Sequence, residues 1–433
     1  MADRSASRGD YVLLGLASLG YACLTFVWFS AAAFLPLLTT DLGLSGTEAG
    51  LLTGTIPLVY VPFSLASGLV IDRVGSRTAI AVGMSLFGVA QLARGFAPDF
   101  PVLLAFTAIV GIGGTGITFG LPKLVAERFP PARSGTMSSV YLLGSYLGIA
   151  AAFGLGRAVL GPVLGGWRPV FRLSGLVVLA VGLVWIVAAR RLTGQRDEQG
   201  DNRRDDRGSG KSDGASGEGG NGGDSDPRFD IGSLVADVKR VGSHPEMRLL
   251  IVIGSMYLLL LHGLQNWLAA VLEARGFDPA LAAGMATLLV LARALGTITI
   301  PPLSDAFSHR RGAVIGCGAL AGLGTLGVLF SGTSLPVTGT VVVLIGVGLG
   351  GLGPLVRALP IEFDGIGPGF TGTAVGLVFA IGELGGFLGP FLVGILADLT
   401  GSFAIGLSVF VLAGLVISLA GYAMAEPSSP KAT

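Results

Sequence analysis

The sequence predicts an all-α membrane protein, with about twelve transmembrane helices in two pseudo-symmetric six-helix bundles. Three observations predict it. Apolar runs of spanning length recur along the chain, charged residues are scarce outside one central stretch, and the two halves echo each other.

The chain is 51% hydrophobic and 13% charged, against about 25% charged residues in a soluble domain. It holds 28 Lys and Arg and 27 Asp and Glu, of which 9 and 12 lie between Arg191 and Glu246. The remainder cannot clothe a water-soluble surface, so lipid is the solvent. Glycine is abundant, at 71 residues, although each costs about 1 kcal/mol relative to Ala in a soluble helix. In a bilayer, small residues four apart let backbones approach closely. That spacing recurs at Gly116/Gly120, Gly144/Gly148, Gly346/Gly350 and Gly382/Gly386. The net charge of +1 points to neither nucleic acid nor an acidic partner. Cys23 and Cys317 lie inside apolar runs, so no disulfide framework is expected.

A hydrocarbon core about 30 Å thick needs roughly 20 apolar residues per helix. Runs bounded by charges, Pro and Gly place the first six spans near residues 11–38, 46–71, 78–95, 101–126, 134–160 and 171–189. The second six fall near 247–272, 280–303, 312–331, 336–359, 369–397 and 403–425. The first run exceeds a signal-peptide core of about 7–15 residues, which predicts an uncleaved span. Three units follow: a bundle over 1–190, a cytoplasmic linker over 191–246 and a second bundle over 247–433.

Basic residues in short loops set the orientation. Arg73, Arg77, Arg128, Arg133, Arg190, Arg191, Arg310 and Arg311 fall on one side if both termini are cytoplasmic, while the loops 39–45, 332–335 and 398–402 have no Lys or Arg. Arg94, Arg168, Arg172 and Arg275 run against the trend. From Thr193 to Asp230 the chain is rich in Gly, Asp, Ser and Arg, a composition predicting disorder. Beyond it, Ile231, Leu234, Val235, Val238 and Val241 share a helical face. Two readings stand, a helix on the membrane surface or an extension of the seventh span.

The halves repeat. Gly68, Asp72, Arg73, Gly75 and Arg77 follow the second span, and Asp305, Arg310 and Arg311 follow the eighth. In both, an Asp precedes an Arg by five residues. These residues resemble the loop signature of the major facilitator superfamily, G-x3-D-R-x-G-x-R, and its degenerate second copy. The segment Gly161-Pro162-Val163-Leu164-Gly165-Gly166, with Gly148, resembles the fifth-span motif of superfamily antiporters. The stretch from Gly120 to Gly135 looks most like the nitrate/nitrite and cyanate porters. Nitrate porters carry an arginine in the second span, and no basic residue lies between Ala49 and Ile71, which speaks against nitrate itself. The resemblance implies two bundles rocking about a central cavity, lined by the first, second, fourth and fifth helix of each half. It also implies a gating role for Gly68, Asp72, Arg73, Gly75, Arg77, Asp305 and Arg310, as a cytoplasmic latch in the outward-facing state.

A charge at the bilayer centre costs at least ~2.5–3.5 kcal/mol on insertion scales, so mid-span charges are functional candidates. Arg293 lies midway along the eighth span and Glu383 midway along the eleventh. The expectation is that Arg293 attracts an anionic substrate and Glu383 orients it or carries a coupling proton. The competing reading is a structural Arg–Glu pair. His262, Gln265 and Asn266 recur at one helical face of the seventh span, a polar stripe expected to face the cavity. Trp28, Tyr60, Tyr141 and Tyr146 read first as packing, with Tyr60 joining the candidate substrate set. Lys123 and Arg357, near the cytoplasmic ends of their spans, are explained by snorkelling.

With three His and two Cys, and no phosphate-binding loop or nucleophile triad, neither an enzyme nor a cofactor is expected. The leading reading is a monomeric secondary transporter of a small anion in the plasma membrane, coupled to protons or a counter-ion. The alternatives are a proton-coupled efflux antiporter of drugs or metabolites, and a non-transporting sensor or scaffold.

Overall fold

The computed structural model describes residues 7–208, 238–307, 309–363 and 366–425. Twelve long helices are described, here α1 to α12. The first half comprises α1 (Arg8–Ala33), α2 (Gly46–Val74), α3 (Ser76–Arg94), α4 (Phe100–Arg128), α5 (Pro131–Ala151) and α6 (Trp167–Gly208). The second comprises α7 (Pro245–Ala274), α8 (Pro279–Ala306), α9 (Arg310–Phe330), α10 (Leu335–Glu362), α11 (Gly367–Thr400) and α12 (Phe403–Ala423). Ten are apolar and long enough to cross a bilayer, and α2, bent by 61° between Gly46–Ser64 and Ala66–Val74, makes an eleventh. Pro57 and Pro62 lie inside α2, where each removes a ladder hydrogen bond. Helix α3, only 19 residues long, has Arg77 and Arg94 at its ends.

Helix starts follow their capping residues. Ser45 and Glu48 form a capping box at α2, the hydroxyl accepting from the Glu48 N–H and the carboxylate accepting from the Ser45 N–H. Asp99 and Asp278 cap α4 and α8, each followed within two residues by Pro in the first helical turn. A short helix, Leu35–Leu42, continues α1 past a break at Phe34. Helix α5 runs on through a π-helical stretch, Ala152–Leu160, into Gly161–Leu164.

The predicted end of the sixth span moves furthest. Helix α6 continues to Gly208, into the segment read as disordered linker. Thr193 to Gly208 carries Arg196, Arg203, Arg204, Arg207, Gln195 and Gln199 among its Asp and Gly residues, and an existing helix can propagate into such a stretch without a new nucleus. The amphipathic face predicted from Ile231 lies outside the described residues, except that 238–243 are helical ahead of α7.

The two halves pack alike. Helices α1 and α5 pair as α7 and α11 do, and α3 meets α4 and α6 as α9 meets α10 and α12. All four glycine pairs sit at helix–helix contacts within a half. An added Cβ at Gly116 would lie 2.7 Å from the Ala79 carbonyl of α3, and one at Gly144 would lie 2.6 Å from the Ser18 carbonyl of α1. Gly346 and Gly350 abut α8, and Gly382 abuts Leu258 of α7.

Between the halves, contact is one-sided. Helices α2 and α11 touch at Gly50, whose Cβ would lie 2.7 Å from the Pro390 carbonyl, and at Gly54, 2.9 Å from the Phe387 ring. Gly394 lies against the Gly46 carbonyl. Further along the same two helices, a Cβ on Gly68 or Gly376 would meet nothing within 4 Å. The bundles are therefore sealed at the end bearing loops 43–45 and 401–402, and splayed at the end bearing loop 75.

The four arginines against the charge trend are tied down locally. Arg94 is buried, stacks on Phe171 at 4.9 Å and donates to Gln91 at 2.9 Å. Arg168 pairs with Asp41 at 3.4 Å, and Arg172 stacks on Phe96 at 5.1 Å. Arg275 donates to the Val328 carbonyl in the last turn of α9.

Candidate transport site

Near mid-depth, where α2 and α11 part, polar groups converge from α7, α8 and α11. Arg293 of α8 is 9% exposed and donates to Gln265 Oε1 of α7 at 2.5 Å. Its guanidinium lies 4.8 Å from the Tyr146 ring centroid of α5, across the boundary between the halves. The Tyr146 hydroxyl is 2.8 Å from Thr297 Oγ1, one turn beyond Arg293 on α8. No carboxylate forms an ion pair with Arg293 among the described residues. The structural Arg–Glu lock is therefore not what this fold builds.

Glu383 of α11 faces His262 of α7 instead, with Oε2 3.9 Å from Nε2. Gly386, one turn along, leaves room for both: a Cβ there would lie 2.9 Å from His262 and 3.0 Å from Glu383 Oε2. His262 stacks on Trp28 of α1, with centroids 5.6 Å apart and planes 12° apart. Trp28 meets Tyr60 of α2 at 5.0 Å, and the Tyr60 hydroxyl is 3.0 Å from Thr118 Oγ1. Four buried polar atoms here have no hydrogen-bond partner among the described residues: Trp28 Nε1, His262 Nδ1, Gln265 Nε2 and Glu383 Oε2. Buried polar groups are normally bonded. These atoms lie together on one patch, which is the candidate site.

The predicted stripe divides. His262 and Gln265 join the patch, but the Asn266 amide donates back to the His262 carbonyl at 2.7 Å, within its own helix. Arg357 is a correction. It does not merely snorkel: it donates to Gly353 at 2.9 Å, stacks on Phe379 at 4.3 Å and lies within electrostatic reach of Glu383. A Cβ at Gly353 would meet Tyr257 Oη at 2.9 Å and Arg357 Nη1 at 3.4 Å, so these two groups converge. Lys123 reaches the exposed end of α2, where its ammonium holds Asp72 at 2.7 Å and the Ile71 carbonyl at 3.1 Å. Sequence reasoning placed Trp28 and Tyr146 on cavity-lining helices but read them first as packing, because aromatic spacing alone does not separate a cavity wall from a core.

The residues expected to gate cluster at the splayed end. Gly75 turns the chain from α2 into α3 with φ 81°, a conformation that favours glycine. Asp72 is bound by Lys123, and the Ser76 hydroxyl donates to Glu127 at 2.6 Å, tying the turn to α4 of the same half. Arg73 is exposed, and the Arg77 carbonyl accepts from Trp185 Nε1 at 3.2 Å. In the second half Arg310 bonds both Asp305 and Glu362, the latter at 2.9 Å, tying the equivalent turn to α10. The ion pairs of Asp72 and Asp305 each stay within one half here.

The Major Facilitator Superfamily family model matches residues 17–390. The 3-(3-hydroxy-phenyl)propionate transporter of Escherichia coli is 28% identical over 349 residues, covering 78% of this chain and 74% of its own. The gentisate transporter of Corynebacterium glutamicum is 25% identical, covering 83% and 76%. A nitrate/nitrite transporter of Nostoc punctiforme is 30% identical over a shorter stretch, 37% of this chain and 34% of its own. A bacterial homologue of the human lysosomal transporter Spinster, solved in an inward-facing, unoccupied conformation, shares the fold with a TM-score of 0.75 at 18% identity, over 98% of this chain and 100% of its own. Two six-helix bundles, a polar patch between them and a match over most of the chain lead to one conclusion: the protein belongs to the Major Facilitator Superfamily and is a secondary transporter of a small solute, working by alternating access.

Proposed function

We propose that the solute is a small anion and that Arg293 is its anchor. One observation carries this reading. A guanidinium near mid-membrane, 9% exposed, is bonded to a neutral amide and an aromatic face and has no carboxylate ion-pair partner among the described residues. A charge held there at a cost of several kcal/mol needs a counter-charge, and a substrate anion supplies it. The named relatives transport anions of several kinds, which supports the reading.

Glu383 is the coupling group on this reading, taking up a proton beside His262 as the anion binds. Gln265 orients Arg293, and His262 and Tyr60 complete the wall; Asn266 braces the helix that carries them. The loop residues around Asp72 and Asp305 latch the splayed end when the bundles rock. The positive-inside rule makes that end cytoplasmic, with both termini inside, residues 191–246 linking the bundles and the monomer acting in the plasma membrane.

Counterflow in proteoliposomes with panels of small anions and lipophilic cations tests the proposal. Wild-type protein is expected to exchange anions, and Arg293→Ala to reduce exchange by at least tenfold. Exchange of cations only, unaffected by Arg293→Ala, would overturn it.

A further inference from the structure

We infer that Arg357 forms a second anion-binding position, between Arg293 and the splayed end, where a planar oxyanion group of the solute is held on its way through the cavity. The inference rests on the anion reading and extends it from one site to a path.

The two halves use matching cations differently. Lys123 and Arg357 each stand five residues before the end of their helix, on α4 and α10. In the first half Lys123 is neutralised by Asp72 at 2.7 Å. In the second, the equivalent carboxylate, Asp305, is taken by Arg310, which also holds Glu362. Arg357 is left with no ion-pair partner among the described residues.

The side chain does not reach for the headgroups. Helix α10 runs from the sealed to the splayed end, and the guanidinium folds back along it. Its Nη1 donates to the Gly353 carbonyl at 2.9 Å, one turn nearer mid-depth. A snorkelling side chain would extend the other way. Arg357 is exposed, although Leu355, Val356 and Leu359 beside it are buried. It lies 4.3 Å from the Phe379 ring centroid of α11 and within electrostatic reach of Tyr21, across the boundary on α1. The exposed surface therefore faces the space between the bundles and not lipid.

Depth separates this position from the first. Gly350 abuts the Arg293 backbone, and the Arg357 Cα lies seven residues further along α10, about 10 Å toward the splayed end. Tyr257 of α7 is within electrostatic reach of both arginines, and its hydroxyl makes no hydrogen bond among the described residues. A guanidinium carries five N–H donors, and Arg357 uses Nη1 on Gly353. Its remaining edge matches the paired oxygens of a carboxylate or of nitrate, with the Tyr257 hydroxyl beside it as a further donor. A halide cannot use such a fork.

The test is phenylglyoxal labelling of the full-length protein in nanodiscs, read at Arg357 by peptide mass spectrometry. Benzoate, nitrate and succinate serve as protecting anions, with chloride at equal ionic strength as the control. Arg357 is expected to be labelled, and at least one of the oxyanions to slow labelling about tenfold, as a charge-assisted bond would, while chloride does not. In Arg293→Gln that protection is expected to persist, because the two positions are separate. Arg357→Gln is expected to slow counterflow of the best-protecting anion about tenfold, by loss of the same bond. An unreactive Arg357, protection no better than by chloride, protection lost in Arg293→Gln, or wild-type counterflow by Arg357→Gln would overturn the second position, while anion exchange dependent on Arg293 would still support the first. Absence of any anion exchange in the wild type would remove both.

Discussion

Asp398, near the end of α11, caps the first turn of α2 in the other half, accepting from the Thr47 hydroxyl at 2.6 Å and from the Thr47 backbone N–H at 2.7 Å. The Gly46 N–H donates to the same carboxylate at 2.7 Å. A carboxylate at a helix N-terminus satisfies orphan donors and meets the positive end of the dipole. Here the cap crosses between bundles, so it holds only while that end of the protein is sealed.

Asp398→Asn is expected to loosen the seal. Loss of a cap costs about 1 kcal/mol, which shifts a two-state balance several-fold toward opening at this end. Cysteines introduced at Thr39 and Ser402 and labelled with a membrane-impermeant maleimide measure the shift; labelling no faster than in wild type would count against the latch.

A second cross-bundle bond lies nearby. Arg157, in the π-helical stretch after α5, pairs with Glu273 of α7 at 3.1 Å, with both side chains largely buried. Breaking a buried pair by removing one partner is costly. Glu273→Ala should therefore favour opening at this end more than Asp398→Asn does, and Arg157→Ala/Glu273→Ala less than either single change implies. A double-mutant cycle on labelling rates reads the coupling.

Glycine makes the seal possible. Gly50 leaves no room for a Cβ, which would sit 2.7 Å from the Pro390 carbonyl and 3.0 Å from Phe391 Cα. Gly50→Leu is expected to keep the bundles apart at this end and abolish exchange, while detergent-solubilised protein stays monodisperse. Wild-type exchange by a folded Gly50→Leu protein would mean that α2 and α11 do not need to meet.

Glu383→Gln separates coupling from binding. The variant is expected to keep counterflow, which needs no net proton movement, and to lose uptake driven by an imposed pH gradient. Gradient-driven uptake at the wild-type rate would remove Glu383 from the coupling step.

At the splayed end, Asp72→Asn frees Lys123 and removes the acceptor that the closing bundles would need. Substrate binding by thermal shift should persist while exchange falls at least tenfold; unaltered exchange would leave Asp72 without a gating role.

Spans, halves and mid-membrane charges were legible in the chain itself. Apolar length is set by bilayer thickness, and an uncompensated charge such as Arg293 or Glu383 stands out against apolar neighbours whatever the fold. The glycine spacings were legible for the same reason, and all four fall at helix crossings. What each charge faces was not. Arg293 lies 28 residues from Gln265, and Asp398 lies 351 from Thr47, so their pairing depends on how the bundles dock. Nothing local distinguished Trp28 in the cavity wall from Trp185 in the core, because both are aromatic residues in apolar helices. The sequence by itself determined that helices span lipid in two related sets, since burying backbone in hydrocarbon leaves few alternatives. Tertiary structure alone decided which end is sealed and which atoms are left without partners, because those follow from contacts between helices far apart in the chain.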